Sequence, residues 1–162
     1  MWTVDILVER KNKKNMNTGR NILFKAKRKD NGKWIEGYYV KVESKHFIIR
    51  CGMICGNNDL LSMDDEYYEI DISTLSQFTG LIDMNGNKIW ENDIVLYGDE
   101  FWHIGWSEYD AYFTIEQDGF IKNFGNIWSR LCEVYGNIFD NAGLLLLHPE
   151  EIAWYEVYET EE

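Results

Sequence analysis

The chain has 162 residues, 45% hydrophobic and 15% aromatic, with a formal net charge of −12. That length can bury a real core, and that composition excludes a chain disordered throughout. Seven Trp and ten Tyr favour strands, where broad side chains pack well on a pleated surface.

The charge is unevenly placed. Residues 1–34 carry ten Lys/Arg against three Asp/Glu, and residues 35–162 carry six against twenty-five. An acidic body repels phosphate backbones, so direct nucleic-acid binding by the body is not expected. There is no apolar run of about eighteen residues. Asp5 and Glu9 interrupt the N-terminal stretch, which has no basic start, so neither a membrane partner nor a secretory signal is expected. Three Cys, an odd number, suit reduced thiols and a cytoplasmic setting better than a disulfide framework.

Residues 1–19 read as a basic extension. Trp2, Val4, Ile6 and Val8 alternate imperfectly with Thr3, Asp5 and Leu7, and Arg10, Lys11, Lys13 and Lys14 follow in a polar, turn-rich context. A start at Met16 would omit the segment. A β-rich domain is expected over residues 20–147. Its first strand falls at residues 21–28, with a turn at Asp30, Asn31 and Gly32 and an antiparallel return over residues 34–40. A third strand fits residues 46–50, and an irregular loop follows from Cys51 to about Ser62. Asp71 or Ser73 offers a cap for one helical turn over residues 71–75.

The stretch 78–97 organises the middle of the chain. Asn85-Gly86 reads as a tight hairpin turn with positive φ at both central positions, and a second turn at Glu91, Asn92 and Asp93 releases the run from Ile94 to Tyr97 as the third strand of a compact nucleus. Further short strands fit residues 101–106, 112–115, 120–121 and 133–139, with turns at 107–110 and 117–119. The fold class expected is mainly β, or β-rich α+β: an N-terminal β-hairpin region, a small SH3-like β-barrel and few short helices. Residues 148–162 form an acidic, aromatic tail. Pro149 followed by Glu150 and Glu151 favours a helix start, although Tyr155, Val157 and Glu159 fall in a strand-like alternation.

Four separated segments share the order of one family. Gln77-Phe78-Thr79-Gly80-Leu81, Asp83-Met84-Asn85-Gly86-Asn87-Lys88-Ile89-Trp90-Glu91-Asn92-Asp93-Ile94-Val95 and Glu133-Val134-Tyr135-Gly136-Asn137-Ile138-Phe139-Asp140 resemble hallmark segments of the YopX family of phage and prophage proteins. The hairpin of Leu23-Phe24-Lys25-Ala26-Lys27-Arg28 and Trp34-Ile35-Glu36-Gly37-Tyr38-Tyr39-Val40 is similar to the family's N-terminal hairpin. Asn92 stands where the family usually has Gly, and Asn tolerates the left-handed backbone such a turn needs. The resemblance implies a mainly β, SH3-like core, a phage or prophage origin and self-association. It supplies no activity, cofactor or catalytic residue.

The sequence offers little chemistry beside it. Cys51 and Cys55 are spaced like one half of a zinc site but have no second pair, so the Cys residues read as small buried apolar side chains and no metal is expected. Gly136 and Gly143 read as turn residues, and no nucleophile elbow or phosphate loop occurs. His103 beside Glu108 or Asp110 is the nearest approach to an acid–base pair, and the expectation is that the chain is not an enzyme. The aromatics around it are interleaved with acids rather than bases, so they read as core with a rim left for protein. The candidate interaction surface is Trp90, Glu91, Asp93, Asp99, Glu100, Trp102, Trp106, Glu108 and Asp110.

Two functional readings follow. One is a non-enzymatic, self-associating interaction module: a homo-oligomer whose basic extension docks on the acidic face of a neighbouring copy. The other is an acidic mimic of nucleic acid that occupies the basic groove of a host protein, such as a defence enzyme.

Overall fold

The structure, a computed structural model, describes residues 22–50 and 66–147. Ten strands make two antiparallel sheets. The first five are β1 (Phe24–Arg28), β2 (Trp34–Val42), β3 (Lys45–Arg50), β4 (Glu66–Ile82) and β5 (Lys88–Trp90). The second five are β6 (Asp93–Tyr97), β7 (Glu100–Ser107), β8 (Tyr112–Gln117), β9 (Phe120–Asn123) and β10 (Cys132–Asn137). A four-residue helix, α1 (Asn126–Ser129), and a 3-10 turn, Ala142–Leu146, complete the described elements. Among the described residues no helix is long and apolar enough to cross a membrane.

The first sheet runs β1-β2-β3-β4-β5, and β1 also pairs with β4, which closes a ring of four strands. Its small core is Ala26, Ile35, Ile48 and Ile70, one inward residue from each strand of the ring. The second sheet runs β10-β6-β7-β8-β9. Its core is larger and holds Ile89, Val95, Trp102, Ile104, Phe113, Ile115, Phe124 and Cys132. The barrel was expected in the second half, after an N-terminal β-hairpin region and a third strand at residues 46–50. Strand pairing closes in the first half instead, while the end strands β9 and β10 of the second sheet are not partners of each other.

The helical turn expected over residues 71–75 is absent, because that stretch lies inside β4. The capping chemistry is present but serves a bulge. β1 passes from Lys25 opposite Ser76 to Lys27 opposite Asp71, so β4 carries several extra residues at that point. The bulge is pinned by Asp71 Oδ1, which accepts from the Ser73 backbone N–H and hydroxyl at 3.1 and 2.8 Å. Thr74 Oγ1 accepts from the Lys27 N–H at 2.8 Å. Local side-chain bonds of this kind cap a helix only where the following residues propagate one; here the pairing with β1 wins.

The hairpin at Asn85-Gly86 also differs from expectation. Gly86 has φ 86° but Asn85 is not in the positive-φ region. Asp83 Oδ1 accepts from the N–H groups of Asn85 and Asn87 at 2.9 and 2.8 Å, and the Gly86 N–H reaches the Asp83 carbonyl at 3.1 Å. The turn is therefore organised around an aspartate, with one left-handed glycine. Asn92, at φ 67°, holds the second turn as expected. The strand it releases does not join a three-strand nucleus: β5 pairs with β4, whereas β6 pairs with β10 and β7. Asn92 marks the corner where the chain leaves one sheet and enters the other. Its N–H donates to the Ile104 carbonyl at 2.7 Å and its carbonyl accepts from Ile138 at 3.0 Å. Of the two glycines expected in turns, Gly143 lies in the 3-10 turn and Gly136 instead at a bulge inside β10. The basic extension, the 51–62 loop with Cys51 and Cys55, and the acidic tail lie outside the described residues.

Candidate interaction surface

The nine residues selected from sequence do not share one surface. Trp90, Asp93 and Trp102 are buried, and their place is internal. Trp90 packs against Phe78, with ring centroids 5.3 Å apart, and Trp102 belongs to the second core. Asp93 is buried because it meets Lys25: Nζ to Oδ1 is 2.5 Å, and Asp93 Oδ2 accepts the Trp90 N–H at 2.8 Å. Burial pushes the Asp93 carboxyl above its ordinary value, against the pull of Lys25 and the Trp90 N–H. Glu91 is half-buried and is raised by the same cause, opposed by the Gln77 N–H.

Asp99, Glu100, Trp106, Glu108 and Asp110 remain exposed. They fall at opposite ends of the sheet. Asp99 lies in the β6–β7 turn and Glu100 opens β7, whereas Glu108 and Asp110 lie in the β7–β8 turn. An eight-residue strand, Glu100–Ser107, separates the two groups by roughly 24 Å at strand rise. The second acidic corner has a different member: continuing the register His103 opposite Glu116 brings Asp118, in the β8–β9 turn, level with Phe101 and beside Glu100.

The first sheet and the second remain oppositely charged. The described residues of the first sheet and its turns, 22–50 and 66–90, hold nine Lys/Arg against seven Asp/Glu, and residues 91–147 hold two against ten. The bases are largely occupied: Lys25 by Asp93, Lys27 by Asp140, Arg28 by Asp30, Lys29 and Lys45 by Glu69, and Arg50 by Glu66. Asp99, Glu100, Glu108, Asp110 and Asp118 form no ion pair with a described residue. Among the described residues Lys33, Lys41, Lys122 and Arg130 form no ion pair either, so what the second sheet carries unneutralised is a net acidic charge, not carboxylates alone.

One groove on that sheet combines acid with apolar surface. Residues directly opposite one another across the strands form the row Ile94, His103, Glu116 and Ile121. With Phe101, Ile138 and Leu146, the last three of these line a cavity of about 370 Å³. Glu116 is positioned from below by Gly105, where a Cβ would stand 2.5 Å from Glu116 Oε1 and 2.7 Å from Thr114 Oγ1. The Thr114 hydroxyl donates to that same oxygen. His103 Nδ1 is 3.8 Å from Glu116 Oε2, and His103 Nε2 is buried without a hydrogen-bond partner. Burial lowers the His103 pKa, with Glu116 pulling the other way, so the ring is neutral near pH 7. Thus the partner of His103 is Glu116, not Glu108 or Asp110: the strand register, rather than the nearest turn, decides it.

The outer wall of the groove is β9, the edge strand of its sheet. Phe120 and Ile121 are 66% and 62% exposed, an uncommon state for adjacent large apolar residues on an edge that no described strand covers. Sequence reasoning passed over Ile121. Its signal was Asp118-Gly119, both with positive φ, a two-residue turn that fixes Glu116 opposite Ile121. A second depression of about 240 Å³ lies between Val40, Val42, Phe47, Ile49 and Tyr67. Its lining is uncharged.

Residues 23–146 match the family model described as YopX protein. No curated protein matches the chain.

Proposed function

This chain belongs to the YopX family, and we propose that it is a phage-type accessory protein acting as a non-enzymatic, self-associating interaction module. The observation that carries the reading is β9: a sheet edge with no further strand beside it among the described residues, bearing two exposed apolar side chains, next to carboxylates that form no ion pair with a described residue. A free edge accepts a further strand through main-chain hydrogen bonds, and adjacent apolar pockets give the contact its register. The excess of base in residues 1–34 supplies a complementary charge within the same molecule, so two copies attract each other without a third component.

Nucleic-acid mimicry is less well supported, because it needs carboxylates spaced along one strip, and the exposed acids chosen from sequence divide between two ends of β7. The groove holds an imidazole and a carboxylate, and the hydroxyl nearest them, that of Thr114, is buried and already bonded to Glu116, which favours binding over catalysis.

Light scattering of the full chain at low and high salt tests the reading. Assemblies larger than one copy at low salt, shrinking as salt rises, are expected. A monomer at every concentration and salt overturns it.

A further inference from the structure

We propose that the groove beside β9 is the receptor for residues 1–14 of a second copy, which add to the free edge as a further strand. The inference rests on the self-association reading and names its contact.

Three features select this occupant. The groove is apolar along Phe101, Ile121, Ile138 and Leu146, and Glu116 and Asp118 are also among its lining; a fitting strand therefore has apolar residues and positive charge. Two stretches of the chain lie beyond the ends of the described residues. The C-terminal one begins beside the groove, immediately after Leu147, but residues 148–162 hold six Glu and no Lys or Arg, so like charge opposes its entry. The N-terminal one has the complementary pattern: Trp2, Val4, Ile6 and Val8 at strand period, then Arg10, Lys11, Lys13 and Lys14. In an extended strand the four apolar residues face one way. They meet the groove while the bases reach the carboxylates of the β8–β9 end.

Exchange between copies follows from the same charges. A segment donated to a neighbour leaves the donor's own groove open to another, a head-to-tail contact that closes into a ring or continues as a chain.

The test uses full chains only, by sedimentation velocity at low salt. Ile121→Lys places a cation on an exposed groove position, and Lys13→Glu/Lys14→Glu reverses the incoming charge without touching residues 22–147. Each is expected to weaken self-association about tenfold or more, with circular dichroism unchanged. Adding Glu116→Lys to the Lys13→Glu/Lys14→Glu chain restores part of the loss. If the unmodified chain is monomeric, the self-association reading fails and takes this proposal with it. If it assembles and both variants assemble equally well, self-association stands and the groove is not its site. If only Ile121→Lys dissociates, the groove has a different occupant, and the assignment of residues 1–14 is overturned.

Discussion

Lys25 and Asp93, 68 positions apart in the chain, meet at 2.5 Å between the two sheets. The lysine comes from the closed ring and the aspartate from the first strand of the second sheet. Their side chains are 14% and 1% exposed. Lys25 Nζ also lies 5.1 Å from the centre of the Trp34 ring and 5.7 Å from that of Trp90, so the cation is held by π faces as well as by the carboxylate. Beside it, Asp140, which follows β10, accepts from Lys27 and from Trp34 Nε1 of the first sheet. These contacts across the sheets are electrostatic and aromatic, and they stand beside an apolar one, since β5 of the first sheet lends Ile89 to the second core.

Lys25→Met leaves the Asp93 charge buried without its cation. It is expected to lower stability by about 3 kcal/mol at pH 7, measured by urea unfolding. Without Lys25 the Asp93 carboxyl is held still further above its unfolded pKa, so the loss grows as pH rises above the unfolded value and fades below it. Lys25→Met/Asp93→Asn should recover much of the loss, since Asn can still accept the Trp90 N–H. An equal loss at pH 3 and pH 7 would show that packing, not charge, is what the variant removes.

Lys27 first, then Trp34, holds the Asp140 carboxyl down at about 2, against an ordinary 3.8. A depressed pKa stabilises the fold above the unfolded value, and the contribution is lost as pH falls through the folded one. Asp140→Asn should therefore flatten the fall in stability between pH 4 and pH 2. Because the side chain is 37% exposed, solvent screening keeps the effect below about 1 kcal/mol. Guanidinium titrations across that window measure it, and parallel curves for the two proteins would contradict it.

Gly37 and Gly105 both lack room for a side chain, for different reasons. A Cβ at Gly37 runs into the Ile49 carbonyl oxygen, which is backbone of the closed ring, whereas at Gly105 it meets the movable end of Glu116 and the Thr114 hydroxyl. Gly37→Ala is expected to cost about 3 kcal/mol and Gly105→Ala about 1 kcal/mol. Thermal melts give the ranking, and the reverse order would refute the argument. Since Gly105→Ala displaces Glu116, it should also move the His103 titration seen by NMR, which Gly37→Ala should not.

Asn92 combines a left-handed backbone with an Nδ2 donated to Ser76 Oγ at 3.2 Å. Asn92→Gly removes only the second and is expected within about 0.5 kcal/mol of the parent. Asn92→Val keeps neither and should cost about 2 kcal/mol, since a β-branched residue is strained at that φ. Chemical denaturation separates them; equal stability would mean that the corner between the sheets relaxes freely.

Most strands were legible because their signals are local. Residues 34–40, 112–115 and 120–121 fall within β2, β8 and β9, and the turns at Gly32, Asn92 and Asp118-Gly119 announce themselves through residues that tolerate positive φ. Residues 71–75 misled because a capping aspartate looks the same before a helix and inside a bulge. The difference lies in Lys25 and Lys27, more than forty residues earlier. Trp90, Asp93 and Trp102 misled likewise: in a row of acids and aromatics, sequence does not say which aspartate faces solvent and which faces a lysine from another strand.

By itself the sequence determined a β-rich chain, its family segments, its opposed charges and most of its turns, since periodicity, turn chemistry and charge belong to neighbouring residues. Only the tertiary structure decided that β1 pairs with β4 to close the first sheet, that β5 and β6 part company at Asn92, and that His103 faces Glu116 beneath a free edge. Those are matters of which strand lies beside which. Pairing is set by the burial of two separate cores and by one buried ion pair between them, interactions whose partners the order of residues does not name.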